Sequence, residues 1–194
     1  MKQTQERLGP SQFYVSEGKW ACSSTGVFMD NIIYASYKAN NSFSYELDEI
    51  YRTARLAPTS LKYYGLCLRK GSYKVRLHFA EIMFSDDQTY SSLGKRIFDV
   101  SIQGNLIWKD FNIMEEAKGP GKGITKVHDA IVSGSTLEIH LYWSGKGTNA
   151  SPGRGAYGPL ISAISVTPNF EIDTGLSVGA IVGIVAASCV VLLC

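Results

Sequence analysis

The stretch SYKVRLHFAEIMF, Ser72 to Phe84, sets Tyr73, Val75, Leu77 and Phe79 in alternation with Lys74, Arg76 and His78. Successive side chains on a strand point to opposite faces, so this period of two describes a strand with one face in a core and the other in water. The pattern returns in TLEIHLYW, where Leu137, Ile139, Leu141 and Trp143 oppose Glu138, His140 and Tyr142. In IFDVSIQGNLIW, Phe98, Val100 and Ile102 share a face, and Gly104-Asn105 predicts a tight hairpin turn with positive φ before Leu106, Ile107 and Trp108. ISAISV, from Ile161, reads as a further short strand, with weaker candidates at Ser42 to Tyr45 and Lys126 to Val132. LDEIYRTARL, from Leu47, suits a helical turn or an edge strand equally, and Pro58 ends it either way.

Glycine-rich connections lie between these segments, KGPGKG from Lys118 and GKGTNASPGRGAYG from Gly145. Short strands, turn residues between them and almost no helical period predict an all-β protein, an antiparallel β-sandwich.

Composition divides the chain in two. All 19 Lys/Arg and 17 Asp/Glu precede Gly175 and are interspersed, which excludes nucleic acid as the main partner. Leu176 to Cys194 carry no charge. As a helix they rise ~28 Å, close to the roughly 30 Å hydrocarbon core of a bilayer, so a single membrane span is expected after a linker at 171–175. Gly175, Gly179, Gly183 and Ala187 recur every four residues and form a stripe on which two such helices can pack closely. The polar opening MKQTQERLGPSQ, residues 1–12, lacks the apolar core of a secretory signal. Tail-first insertion, with the domain left in the cytosol, is therefore an alternative topology. Two glycosylation sequons, at Asn40 and Asn149, lean towards an extracellular domain, although Pro152 disfavours the second.

Chemistry is sparse. His78, His128 and His140 have no metal-ligand spacing, and neither a metal nor another cofactor is expected. Glu81, Asp86, Asp87, Asp99 and Asp110 offer carboxylates, but nothing in their spacing pairs two of them for sugar hydrolysis. GPGKG is too short for a phosphate loop and has no Ser/Thr after its lysine; no G-x-S-x-G elbow occurs. Of the four cysteines only Cys22 and Cys67 can pair within the domain. A bridge there would contribute roughly 4 kcal/mol, and two free thiols are the other reading. Aromatic residues near loops, Tyr63, Tyr64, Phe84, Tyr90 and Tyr157, can stack on the apolar face of a sugar or serve as core and rim side chains.

Three longer passages carry a resemblance: TARLAPTSLKYYGLCLRKGSYKVRLHFAEIMFSDDQTYSSLGKRIFDVSIQGN, DFNIMEEAKGPGKG and LEIHLYWSGKGTNASPGRGAYGPLISAISVTPNF. Together they resemble the malectin domain of plant leucine-rich-repeat receptor-like serine/threonine kinases, over Phe13 to Phe170 and on into the apolar tail. The resemblance implies a jelly-roll type β-sandwich at the plasma membrane, displayed outside the cell on one span. Its partners would be a glycan, cell-wall carbohydrate or a co-receptor ectodomain. The family's repeats, its first strand and its kinase are expected to lie outside this chain, so the sandwich is expected to have an open edge and no catalytic residue carries over. The sugar site of animal malectin maps poorly. Its aromatic pair after Ala80-Glu81 corresponds to Met83 and Phe84, its tyrosine after Thr53-Ala54-Arg55 becomes Leu56, and its late aspartate falls near Tyr157. A different ligand from the animal protein's sugar is therefore expected: a carbohydrate held by Tyr63, Tyr64, Met83, Phe84 and Tyr157, or another protein with no sugar at all.

Overall fold

A computed structural model describes residues 47–85, 94–148 and 157–171 in full, and the backbone of four strands ahead of them, at 4–8, 11–16, 19–25 and 37–40. Those strands are β1 (Thr4–Leu8), β2 (Ser11–Ser16), β3 (Lys19–Thr25) and β4 (Tyr37–Asn40). They are followed by β5 (Thr53–Leu56), β6 (Ser60–Leu66), β7 (Gly71–Ala80), β8 (Phe98–Ile102) and β9 (Asn105–Phe111). A short helix α1 (Ile113–Ala117) precedes β10 (Gly123–Val132), β11 (Leu137–Trp143), β12 (Leu160–Ile161) and β13 (Ala163–Pro168).

One layer is a seven-stranded sheet in the order β1-β2-β3-β6-β11-β8-β9. The other combines β10-β7-β13 with β12-β5-β4. Ser162, between β12 and β13, links these two groups by donating its N–H to His78 O at 2.9 Å. Among the described residues every pairing is antiparallel. β1 extends the first sheet from Thr4, ahead of the Phe13 boundary expected from the sequence. The segment 42–45 and the apolar tail lie outside the described residues. Among those described, no helix is long and apolar enough to cross a membrane.

The alternation in β7 places Tyr73, Val75, Leu77 and Phe79 in the core, where they meet Phe98, Val100, Ile102, Leu137, Ile139 and Leu141 from the facing sheet. Phe79 packs 4.9 Å from Phe111 and 6.0 Å from Phe98 between ring centroids. Each such aliphatic or aromatic side chain contributes about 1.5–3 kcal/mol by leaving water, so the inward rows of β7, β8 and β11 hold the layers together. The segment at Leu47 forms a 3-10 turn at Glu49–Tyr51 and then β5, which is paired on both sides by β4 and β12 and so is not the edge strand the sequence offered.

The β8–β9 turn falls one residue earlier than the sequence suggests. Ile102 pairs with Asn105, so the two-residue loop is Gln103-Gly104 and positive φ falls on Gln103 (53°) and Gly104 (76°). Gln103 is held in this unfavourable conformation by its own amide, which donates to Thr136 O at 3.1 Å and accepts from Glu138 N at 3.0 Å. Further along, a bulge gives Asp110 a φ of 54°, and the Asp99 carboxylate accepts the Asp110 N–H at 2.7 Å.

Candidate functional site

The end of the sandwich at which β7 finishes gathers the connections between strands. Ala57 N donates to Pro159 O, Trp143 N to Thr59 O, Thr148 N to Lys95 O and Gly121 N to Glu81 O. At its centre Glu81 and Arg96 form an ion pair, 1% and 2% exposed. Arg96 donates from Nε to Glu81 Oε2 at 2.7 Å and from Nη1 to Gly158 O at 2.5 Å. Glu81 Oε1 accepts Met83 N at 3.0 Å. One guanidinium therefore fixes the exit of β7, the entry to β8 and the approach to β12. A buried charge persists only where its partners replace water, and the fork geometry of Arg suits that task.

Phe84 and Tyr157 stack on each other above this pair, with centroids 4.9 Å apart and planes 16° from parallel. The Arg96 guanidinium lies 5.0 Å from the centre of the Phe84 ring. Both rings are 3% exposed. Their faces meet each other and the cation, so of the two roles read from the sequence they have the placement of core side chains and not of an open loop-tip platform. Met83 is half-buried in the same group, its sulfur 4.0 Å from Arg96 Nη2. Gly94 closes the cluster: a Cβ there would lie 1.8 Å from the Tyr157 ring.

The other sequence candidates are elsewhere. Tyr63 and Tyr64 sit half-buried along β6, Tyr63 facing Ile139 and Arg55, Tyr64 paired with Glu138 on the outer face. The structure thus gathers Met83, Phe84 and Tyr157 and leaves the two β6 tyrosines apart. Asn40 ends β4, opposite Thr53. Asn149, Tyr90, Asp86, Asp87 and the stripe Gly175, Gly179, Gly183 and Ala187 lie outside the described residues. Cys67 is a free, exposed thiol. Cys22 pairs with Tyr64, three positions short of Cys67, so roughly 10 Å of strand separates the cysteines, where a disulfide needs Cα atoms within about 7 Å.

At the same end of the sandwich a cleft of about 390 Å³ opens, lined by Asp110, Asn112, Glu115, Glu116 and Lys118. It is shaped by α1, whose N-cap Asn112 accepts Met114 N at 3.1 Å and which ends in left-handed Lys118. Lys146 holds Asp110 at 2.6 Å, and Lys126 holds Glu116 at 2.9 Å while lying 5.8 Å from the Trp108 ring. Trp143 Nε1 donates to Lys146 O at 2.8 Å and so shapes the loop that delivers Lys146. Two of the three carboxylates here, Asp110 and Glu116, are held by cations, an arrangement suited to accepting hydrogen bonds from a polar ligand.

Two histidines lie on outer sheet faces. His78 Nδ1 is 3.1 Å from Thr125 Oγ1 and 3.4 Å from Tyr51 Oη, and Nε2 is 3.3 Å from Ser165 Oγ. Burial, and then the charge of Arg76, lowers its pKa. Burial chiefly, with Lys62, lowers that of His140 against an opposing effect of Glu138.

A model of the family described as the Malectin domain matches residues 4–164. A probable LRR receptor-like serine/threonine-protein kinase of Arabidopsis thaliana, At1g53430, is 58% identical over 189 residues, 94% of this chain and 18% of its own length. Another from the same plant, At1g07650, is 51% identical over 174 residues, 86% of this chain and 17% of its own. The chain therefore spans less than a fifth of the curated relatives it matches. Among solved structures, that of the plant receptor-like kinase FER superposes with a TM-score of 0.52 at 20% identity, over 73% of this chain and 35% of that one. The ANXUR1 extracellular domain from Arabidopsis thaliana does so at 0.50 and 16% identity, over 72% and 39%.

Proposed function

Because this chain belongs to the malectin-domain family, we propose that it is the ligand-recognising ectodomain module of a membrane receptor kinase, itself non-catalytic, held outside the cell on one span formed by 176–194. The observation that carries this reading is the convergence of the loops at one end of the sandwich. There a buried Glu81–Arg96 clamp shares the end with a cleft whose five lining residues all carry hydrogen-bonding side chains. Such a cleft suits a polyhydroxylated ligand, a glycan or cell-wall carbohydrate, whose hydroxyls meet carboxylate, amide and ammonium groups already in position. Binding rather than turnover is favoured because Glu81 and Asp110 are each engaged by a cation, whereas a general acid must be free to carry a proton. The second reading, a surface for a co-receptor ectodomain with no sugar, is supported by the burial of Phe84 and Tyr157 against each other.

Calorimetry and a glycan array with the purified chain separate the two. A carbohydrate ligand in the cleft is expected to lose about tenfold in affinity in Asp110→Asn/Glu115→Gln, equivalent to one charge-assisted hydrogen bond. No glycan bound, together with capture of a co-receptor ectodomain that survives this double variant, supports the second reading. A glycan at Asn40, detected as an endoglycosidase-sensitive mass shift, tests the extracellular placement.

A further inference from the structure

We propose that the end of the sandwich opposite the loop cluster rests on the headgroup layer of the membrane that the tail spans, so that the cleft faces away from the lipid. The inference depends on the single-span reading above and adds an orientation and a contact surface to it.

The described chain leaves the sandwich at the Gly71 end of β7. Asn169 donates from its backbone to Ser72 O at 2.9 Å and from its amide to Ser72 Oγ at 3.0 Å and Asp129 Oδ1 at 3.1 Å. Phe170 then packs edge-on to Tyr73, its ring so close to Gly71 that a Cβ there would meet it at 2.5 Å. Only residues 172–175 separate Glu171 from the apolar run at Leu176. Fully extended, that tether reaches roughly 18 Å, while β7 carries the loop cluster about 30 Å further along the sandwich. The Gly71 end is thus confined near the bilayer.

Its exposed groups suit that place. Arg69 and Lys70 stand in the β6–β7 connection, and Tyr73 Oη fixes that turn by donating to Arg69 O at 2.9 Å. Ile131, 74% exposed, and exposed Leu106 lie at the same end, next to the Gln103 amide that spans the β10–β11 and β8–β9 turns. Cations beside exposed aliphatic side chains match lipid phosphates over acyl chains. Glu171, where the tether starts, and Asp173 within it offset part of the basic charge, which gives Ile131 and Leu106 the larger share of the contact.

The native thiol of Cys67 reports on this end. The full chain carrying Cys22→Ser, Cys189→Ser and Cys194→Ser, labelled at Cys67, is reconstituted in vesicles of phosphatidylcholine with a minority of phosphatidylserine and headgroup-quencher lipid. A matching chain carries its label at Lys95→Cys, in the loop cluster, with Cys67→Ser. Severalfold stronger quenching at position 67 is expected, falling in Arg69→Glu/Lys70→Glu/Ile131→Ser. A label at Ser133→Cys serves if the first background fails to fold. Release of the chain by alkaline carbonate overturns the single-span reading and this inference with it. Retention with equal quenching at both sites, or stronger quenching at 95, overturns the orientation alone.

Discussion

Moving the Arg96 guanidinium out of water costs several kcal/mol, and its bonds to Glu81 and Gly158 have to offset that cost. Removing one partner strands the other charge in the core. Glu81→Gln and Arg96→Met are each expected to destabilise the fold by about 3–5 kcal/mol. The double variant Glu81→Met/Arg96→Met should lose less than either, because no uncompensated charge remains; urea unfolding of the set measures the coupling. The histidines give a residue-scale prediction in pH. Both favour the neutral form in the fold, so the unfolded chain takes up protons first as pH falls. Their contribution is complete above the ordinary value near 6.5, is lost as pH falls from there towards the lowered folded values, and is constant below them. A His78→Gln/His140→Gln variant should show a shallower decline in melting temperature across that window. The outward placement of these histidines was legible from alternation on β7 and β11. The Arg96 pairing was not, since a bond across the fold leaves no local period. Glu81 beside Ala80 and Ile82 was the one available hint, a charge set among apolar neighbours at a strand end.

Strands announced themselves wherever one face is buried, as in β7, β8 and β11, because a one-residue slip would turn every core side chain outward. β10 was a weaker signal. Its inward row includes Lys126 and His128, half-buried at the sandwich edge beside Trp108, so polar residues interrupt the apolar face. The β8–β9 hairpin shows the limit of turn chemistry alone: Gly104-Asn105 marked the turn, yet strand pairing moved positive φ onto Gln103. That residue joins the β8–β9 hairpin to the β10–β11 connection, which makes a test at this scale possible. Gln103→Ala removes the amide bonds and keeps the strained φ, and should cost about 1–3 kcal/mol. Gln103→Gly removes the same bonds but relieves the strain, so it should be the milder variant by roughly 1 kcal/mol. Denaturation midpoints at equal m-value would show the order, and the reverse order would mean that the positive φ at position 103 carries little strain.

At the scale of the whole molecule the sandwich has two unlike ends, one with the clamp and cleft, the other with the chain's exit. The sheet alternation foretold the layers but could not say which loops share an end, because that depends on strand order across both sheets. For this reason the sequence singled out Tyr63 and Tyr64 alongside Phe84 and Tyr157, although β6 holds the first pair away from the loop cluster. The exit end supplies the last test. Phe170 is only half-buried, so Phe170→Ala should cost about 1–2 kcal/mol, less than a full core deletion. Its second effect is geometric: without the ring on Tyr73 and Gly71, the chain beyond Asn169 is freed and the tether to Leu176 lengthens. Quenching at Cys67 by headgroup lipid should then fall while carbonate resistance is unchanged. A Gly/Ser insert after Glu171 should lower the quenching in the same way with no loss of melting temperature. Full quenching retained by both variants would mean that Arg69, Lys70 and Ile131 hold this end on the lipid without help from the short tether.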